Sequence, residues 1–325
     1  NPQYDIAYYN RGNAYYENRD YDRAILNFDQ AITLNANYAI AYYNRGLAYR
    51  DKRDYDKAIQ NFDQAIKLDP RNAYAFSNRG LSYRNKGEVD RAIADLNEAI
   101  KLNANFALAY YNRAIAYGLK GDTDRAITDF DLALKFDSED PRAYNNRGFA
   151  YRNKGDNDRA IADFDRAIKI NPSYSIAFAN RGDIYYTKRE FDRAISDYEQ
   201  AIKINPNFAT AYNHRGLSLD EKRDYPAAIK DFDQAIKLNA NSTYYYNNRG
   251  FAYRNNGETD RAIADYNQSI KLKPEYALPY YNRGMAYYEK RDFERATQDL
   301  NQAIKLNPNY GATFHDRGVL YYDKN

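Results

Sequence analysis

Cysteine and tryptophan are absent from this chain, methionine occurs once and histidine twice. Without cysteine there are no disulfides and no thiol catalysis, although that absence does not choose between cytosol and periplasm. The two histidines, His214 and His315, lie far apart, and no His-Glu-x-x-His, phosphate loop, metal-ligand cluster or nucleophile elbow accompanies them. No catalytic residue, metal or cofactor is therefore expected. There is no long apolar run, and the mean hydropathy is −0.93, so nothing in the sequence reads as a bilayer-spanning segment. The N-terminus lacks a signal-peptide pattern, and a soluble, cytoplasmic protein is the expectation. Charge of one sign is also missing. With 48 basic residues against 45 acidic, no broad electrostatic footprint for nucleic acid or an anionic membrane exists.

What the chain has in abundance is periodicity. Asn-Arg-Gly or a near variant returns every 34 residues, with glycine at 12, 46, 80, 148, 182, 216, 250, 284 and 318, and only Ala114 breaks the series, in phase. Counted from Asp5, nine repeats occupy 5–38, 39–72, 73–106, 107–140, 141–174, 175–208, 209–242, 243–276 and 277–310. Residues 311–325 read as the first helix of a tenth repeat, and 1–4 as the tail of a preceding one, so the sequence reads as a segment of a longer, natural or engineered, array. Within a repeat, apolar residues at positions 4, 8 and 11, then 20, 21, 24, 27 and 28, have the spacing of two amphipathic helices. Between them stand Gly or Arg and then Asp or Glu, as in Lys86-Gly87-Glu88 and Lys52-Arg53-Asp54, a helix stop followed by a helix start. Pro226 and Pro279 fall in the first turn of a predicted helix, where no intrahelical N–H bond is lost. Helices of about 14 residues are marginal alone in water, so each hairpin depends on its neighbours. The expected fold is an all-α solenoid of helix-turn-helix repeats.

An aromatic at position 4 from Tyr8 to Phe314, alanine at position 20 from Ala24 to Ala296, tyrosine at position 11 except for Leu219, and Pro70, Pro172, Pro206, Pro274 and Pro308 at position 32 carry a more specific signal. The pattern resembles the tetratricopeptide repeat over the whole chain. The resemblance implies a right-handed superhelix whose first helices line a concave groove through positions 2, 5, 6, 9, 12 and 13, and it implies a non-catalytic protein-interaction scaffold. Position 6 is an asparagine ladder of Asn10, Asn44, Asn78, Asn112, Asn146, Asn180, Asn248 and Asn282, interrupted by His214 and Asp316. It is similar to the ladder in the repeat region of O-linked N-acetylglucosamine transferase, where such side chains hold the backbone of an extended polypeptide. A carboxamide offers both donor and acceptor to a peptide unit, whatever the ligand's side chains are. Position 5 carries Tyr9, Tyr43, Tyr111 and Tyr281, and position 12 carries Arg50, Arg84, Arg152 and Arg254, which together form a candidate specificity layer for an extended ligand with acidic and apolar residues. The family's carboxylate clamp for chaperone C-termini does not fit, because Tyr9, Tyr74 and Asn78 stand where basic residues are required.

Arginine occupies position 7 in all ten copies, from Arg11 to Arg317, and each complete repeat has an acid at position 23 or 25, such as Asp29, Asp95, Asp163 or Asp231. An Arg–carboxylate ladder on the helical flanks is expected, worth at most about 1 kcal/mol per exposed pair. Two other readings are open at this point. The chain is a substrate-recruiting arm of a larger, glycosyltransferase-like enzyme whose catalytic domain lies elsewhere, or it is an architectural array that self-associates end to end through its unpaired terminal helix.

Overall fold

The computed structural model describes residues 2–309 and 311–324, so Asn1, Tyr310 and Asn325, which the repeat count includes, lie outside the described residues. The chain divides into two compact units, residues 1–170 and 171–325. The first holds α1 (Pro2–Glu17), α2 (Tyr21–Leu34), α3 (Ala39–Asp51), α4 (Tyr55–Leu68), α5 (Ala73–Asn85), α6 (Val89–Leu102), α7 (Ala107–Leu119), α8 (Thr123–Phe136), α9 (Pro141–Asn153) and α10 (Asn157–Ile170). The second holds α11 (Ser175–Thr187), α12 (Phe191–Ile204), α13 (Ala209–Glu221), α14 (Tyr225–Leu238), α15 (Thr243–Asn255), α16 (Thr259–Leu272), α17 (Ala277–Glu289), α18 (Phe293–Leu306) and α19 (Gly311–Lys324). The described residues contain no strand. Within each unit every helix packs on the next, and odd-numbered helices also touch the odd-numbered helix of the following repeat. Each unit is thus an all-α solenoid of stacked hairpins. The odd-numbered helices start at 39, 73, 107 and so on, in step with the 34-residue period, but α1 starts at Pro2 and runs through residues read as the tail of a preceding repeat. Proline is tolerated there because the first turn makes no use of the N–H that proline lacks.

The turns explain the punctuation in the sequence. Position 15 is left-handed in every complete repeat, with glycine at Gly87, Gly121, Gly155 and Gly257 and arginine at Arg19, Arg53, Arg189, Arg223 and Arg291, whose φ values are 58–64°. The acid that follows is the N-cap of the second helix. Asp20, Asp54, Asp122, Asp156, Asp224 and Asp292 each accept a bond from the backbone N–H three residues on, whereas the longer Glu88, Glu190 and Glu258 make no such bond. Asp22, Asp56, Asp90 and Asp124, expected to serve the helix dipole, also pair with Lys52, Lys86, Lys120 and Lys154 of the next repeat.

The core lies between the two helices of each hairpin. Phe62, Phe164 and Phe232 at position 24 are fully buried, as are the alanines at position 20 beside them, Ala58, Ala160 and Ala228. Glycine at position 8 makes room for that ring. A Cβ on Gly46 would stand 2.7 Å from Phe62 Cε1, closer than real Cβ atoms come. In the fourth repeat Ala114 supplies that Cβ, and there the core opens slightly, with Ala126, Phe130 and Ala133 2–3% exposed where equivalents elsewhere are sealed. Ser269, the one departure from alanine at position 27, is matched by Thr243. The two hydroxyls each donate to the other's carbonyl at 2.9 Å, so neither is left unsatisfied in the core.

The arginine ladder differs from the expectation in one respect. Arg113 donates from Nε and Nη2 to both oxygens of Asp129 at 2.7 Å and from Nη1 to Asn97 of the preceding repeat, also at 2.7 Å. Equivalent forks join Arg79 to Asp95, Arg147 to Asp163, Arg215 to Asp231, Arg249 to Asp265 and Arg283 to Asp299. The position-23 carboxylates are buried, not exposed, so the figure for a surface pair does not apply to them. Burial pushes the Asp95, Asp163 and Asp265 carboxyls up against the pull of their arginines.

Candidate peptide-binding face

The odd-numbered helices present the candidate ladder, and most of its amides already have partners. In the first unit Asn44 Nδ2 donates to Tyr9 Oη at 3.1 Å and to Asn13 Oδ1 at 2.7 Å. Asn78 Nδ2 donates to Tyr43 Oη at 3.0 Å and to the Tyr74 carbonyl at 2.9 Å, while its Oδ1 accepts from Arg50. Asn146 repeats the tyrosine bond with Tyr111 at 3.0 Å. Position 6 of one repeat thus reaches position 5 of the repeat before it, 35 residues back. Ser77 is too short for this role, and the buried Asn112 accepts from Arg84 Nη1 at 3.1 Å instead. Asn10, on α1, is exposed.

The second unit uses the same register with other chemistry. Asn248 donates to Asn213 at 3.0 Å and Asn282 to Asn247 at 2.9 Å, while Tyr281 Oη donates to Asp316 at 2.7 Å. Asn180 is half-buried and has an interaction partner. His214 Nδ1 lies 2.8 Å from Asp183 Oδ1, which also accepts from Tyr198 Oη at 2.9 Å. Asp183 and His214 stand 31 residues apart, as do Asn13 and Asn44, so this interruption of the ladder is a matched pair that keeps the inter-repeat bond.

Beneath the ladder, the candidate tyrosines pack on the core. Tyr43 and Tyr111 lie 5.8 and 5.9 Å, ring centre to ring centre, from Phe62 and Phe130, and Tyr9 lies 5.2 Å from Tyr38. Burial raises the Tyr43 and Tyr111 hydroxyls above their ordinary range. The four candidate arginines differ from one another. Arg50 is bound to Asp51 and Asn78, and Arg152 lies over the Phe149 ring at 4.9 Å. Arg254 lies over Phe251 at 5.3 Å, 3.5 Å from Glu289, with a buried Nη1 that has no hydrogen-bond partner among the described residues. Arg84 has no carboxylate partner among the described residues, and burial holds it below the usual guanidinium range.

Position 2 carries a signal that neither the tyrosines nor the arginines give. Ile6, Ile40, Tyr74 and Leu108 in the first unit, and Ile176 and Tyr244 in the second, are 39–57% exposed on the face of the first helices. Apolar residues that recur at one repeat position without entering the core are the sequence trace of this stripe.

Asp220, on α13, shares a cavity of about 380 Å³ with Phe251 and Arg254. Its Oδ1 is buried without a partner among the described residues, and desolvation raises its pKa from 3.8 to about 6 despite a hydrogen bond with Asn255. A carboxyl with a raised folded pKa favours folding while protonated, and that contribution is lost as pH climbs from about 4 to about 6. Asp220→Asn is therefore expected to raise the melting temperature at pH 7 by the equivalent of about 1 kcal/mol or more and to flatten its fall between pH 4 and 6. Thermal melts at half-unit pH intervals check this, and an unchanged pH profile counts against it.

Among the described residues no cluster of three or more His, Asp or Glu could hold a metal ion, and no helix is long and apolar enough to cross a membrane. The tetratricopeptide repeat pattern matches residues 9–73, 46–106, 77–141, 141–174, 209–242, 232–264 and 277–310, and related repeat patterns match 182–222 and 252–291. No curated protein matches the chain. Among solved structures it is similar to a chain of the APC/C hetero-tetramer Cut9–Hcn1, with a TM-score of 0.63 and 17% identity over 96% of this chain and 75% of that one. PilF of Pseudomonas aeruginosa aligns with a TM-score of 0.58 and 19% identity over 68% and 96%. YrrB, a TPR protein with an unusual peptide-binding site, aligns with a TM-score of 0.50 and 24% identity over 58% and 97%. These likenesses establish the fold.

Proposed function

This chain belongs to the tetratricopeptide repeat family, and from that premise we propose that it is a non-catalytic scaffold whose odd-numbered helices receive an extended polypeptide. The observation that carries the reading is the pairing of an exposed apolar stripe at position 2 with a row of fixed amides at position 6. The stripe supplies sequence-tolerant burial, at about 25 cal/mol per Å² of apolar surface covered. The amides supply register. Both Nδ2 protons of Asn44 and of Asn78 are committed within the protein, so these two rungs meet a ligand through an Oδ1 lone pair and receive its backbone N–H groups. Each such bond contributes about 0.5–1.5 kcal/mol. Affinity then grows with the number of rungs covered, and successive rungs meet about every third ligand residue when helices pack about 10 Å apart.

The test is a screen of unstructured peptides of about 20 residues against the full chain and two variants. One has Asn44, Asn78 and Asn146 changed to Ala, and the other has Ile6, Ile40 and Leu108 changed to Ser. The second set is exposed, so it leaves the core intact. Peptides that bind the parent chain are expected to weaken at least about tenfold on both variants at unchanged helicity. Undiminished binding to both overturns the reading.

A further inference from the structure

Position 12 of the first helix carries a long side chain in most repeats, such as Arg84, Arg152 or Tyr186, but Gly118 in the fourth. A Cβ at Gly118 would meet nothing within 4 Å. The space it leaves is the mouth of a cavity of about 310 Å³ between α7 and α9, floored by Phe130 and walled by Ile115, Leu119 and Phe149. Leu119 and Phe149 are 62% and 42% exposed. Ala114, the one departure from glycine at position 8, also lines it, together with the Phe130 ring. Both departures from the repeat pattern therefore open onto one hole. Its volume sits at the small end of ligand sites, about 300–1,000 Å³, which suits a side chain better than a folded partner.

The charge around the cavity is one-sided. Positions 12 and 13 of the third to fifth repeats read Arg84-Asn85, Gly118-Leu119 and Arg152-Asn153, without an acid, whereas position 13 is acidic at Glu17, Asp51, Glu221, Glu289 and Asp323. Arg84, one repeat before the cavity, is half-buried with Asn112 as its only hydrogen-bond partner among the described residues, and Arg152, one repeat after it, is stacked on the wall residue Phe149. A half-buried guanidinium without a counter-charge is complementary to a carboxylate that arrives with the ligand.

We propose that the opening at Gly118 is the anchor pocket for one aromatic side chain of an extended acidic peptide, with Arg84 binding a carboxylate on the neighbouring ligand residues. The assignment rests on the peptide-binding reading above and gives it a register, because the anchor fixes which ligand residue meets which ladder rung.

The probe is a fluorescein-labelled Gly/Ser peptide of about 15 residues carrying one Phe between two pairs of Glu, together with its Phe→Ala and Glu→Gln forms, followed by anisotropy against the full chain. The parent peptide is expected to bind at least about tenfold more tightly than the Phe→Ala form, and this preference vanishes in Gly118→Tyr, which fills the pocket without changing charge. Glycine is among the weakest helix formers, so Gly118→Tyr keeps the helix, which circular dichroism verifies. Arg84→Gln is expected to abolish the preference for Glu over Gln and to retain that for Phe. A Phe preference that survives Gly118→Tyr overturns the pocket, and a Glu preference that survives Arg84→Gln overturns the charge assignment. Ladder substitutions distinguish the two readings. If Asn44 and Asn78, which do not line the cavity, can both be changed to Ala without loss while Gly118→Tyr abolishes the Phe preference, the pocket stands and the ladder falls; the converse result removes the pocket alone.

Discussion

Asp129→Ala is expected to destabilise the fourth repeat by about 3–5 kcal/mol, an effect far larger than a surface ion pair would give. Asp129 is 3% exposed and takes two hydrogen bonds from Arg113, so truncating it leaves a partly buried guanidinium without its counter-charge. The chain contains its own control. In the first two repeats position 23 is asparagine, and Asn27 and Asn61 accept from the Nε of Arg11 and Arg45 at 2.6 and 2.7 Å while donating to the carbonyls of Arg23 and Lys57 at 2.8 Å. Asp129→Asn can adopt that arrangement and should lose far less than Asp129→Ala. Hydrogen exchange of the α7 and α8 amides reads the local loss directly, which matters because repeat arrays need not unfold in one step. Equal losses for the two substitutions would mean that the carboxylate charge, and not the shape or hydrogen bonding that asparagine retains, carries the contribution of the fork.

Phe164→Ala comes next, with an expected cost of about 3–5 kcal/mol. The ring is fully buried between α9 and α10, and its Cε1 would lie 2.9 Å from a Cβ placed on Gly148, so glycine and ring are fitted to each other. Removing the ring leaves a cavity that the rigid hairpin cannot close, because Ala160 and Ala167 beside it have no side chain to spare. Leu96 and Leu300 fill the same position in the third and ninth repeats without exposure, so Phe164→Leu should recover most of the stability. Denaturant melts of the three proteins should fall in the order parent, Leu, Ala. A Leu variant no better than Ala would show that the site demands an aromatic ring.

The hairpins were legible because their determinants are local and repeat. Period, apolar spacing, the Gly-or-Arg stop and the acidic start all fall within one 34-residue unit. The tetratricopeptide resemblance rests on the same residues and holds. Less legible was anything decided by burial or by the neighbouring repeat. Arg113 reads as a flank residue with an exposed acid nearby, but its partner Asp129 is inside, and the guanidinium is further covered by the rings of Tyr110 and Tyr117 at 5.5 and 5.9 Å. The asparagines of position 6 are plain in the sequence, while their bonds to position 5 of the preceding repeat depend on how far one hairpin is displaced along the next. Nothing in a single repeat encodes that displacement. The paired exceptions Asp183 with His214 and Thr243 with Ser269 carried a usable signal, since each couples two departures from the repeat at positions that meet.

The bonds at a separation of 35 residues have a consequence for cooperativity. Tyr9 with Asn44, Tyr43 with Asn78, Tyr111 with Asn146 and Asn247 with Asn282 do nothing for a hairpin by itself and act only when two successive hairpins are both folded. In a one-dimensional Ising description they belong to the nearest-neighbour coupling and not to the intrinsic term of each repeat. A large coupling lengthens the correlation along the chain, so that within each unit a boundary between folded and melted repeats is disfavoured and melting proceeds in long blocks. A ligand bridging several rungs would act on the same term, so its binding would sharpen the melting transition as well as raise its midpoint.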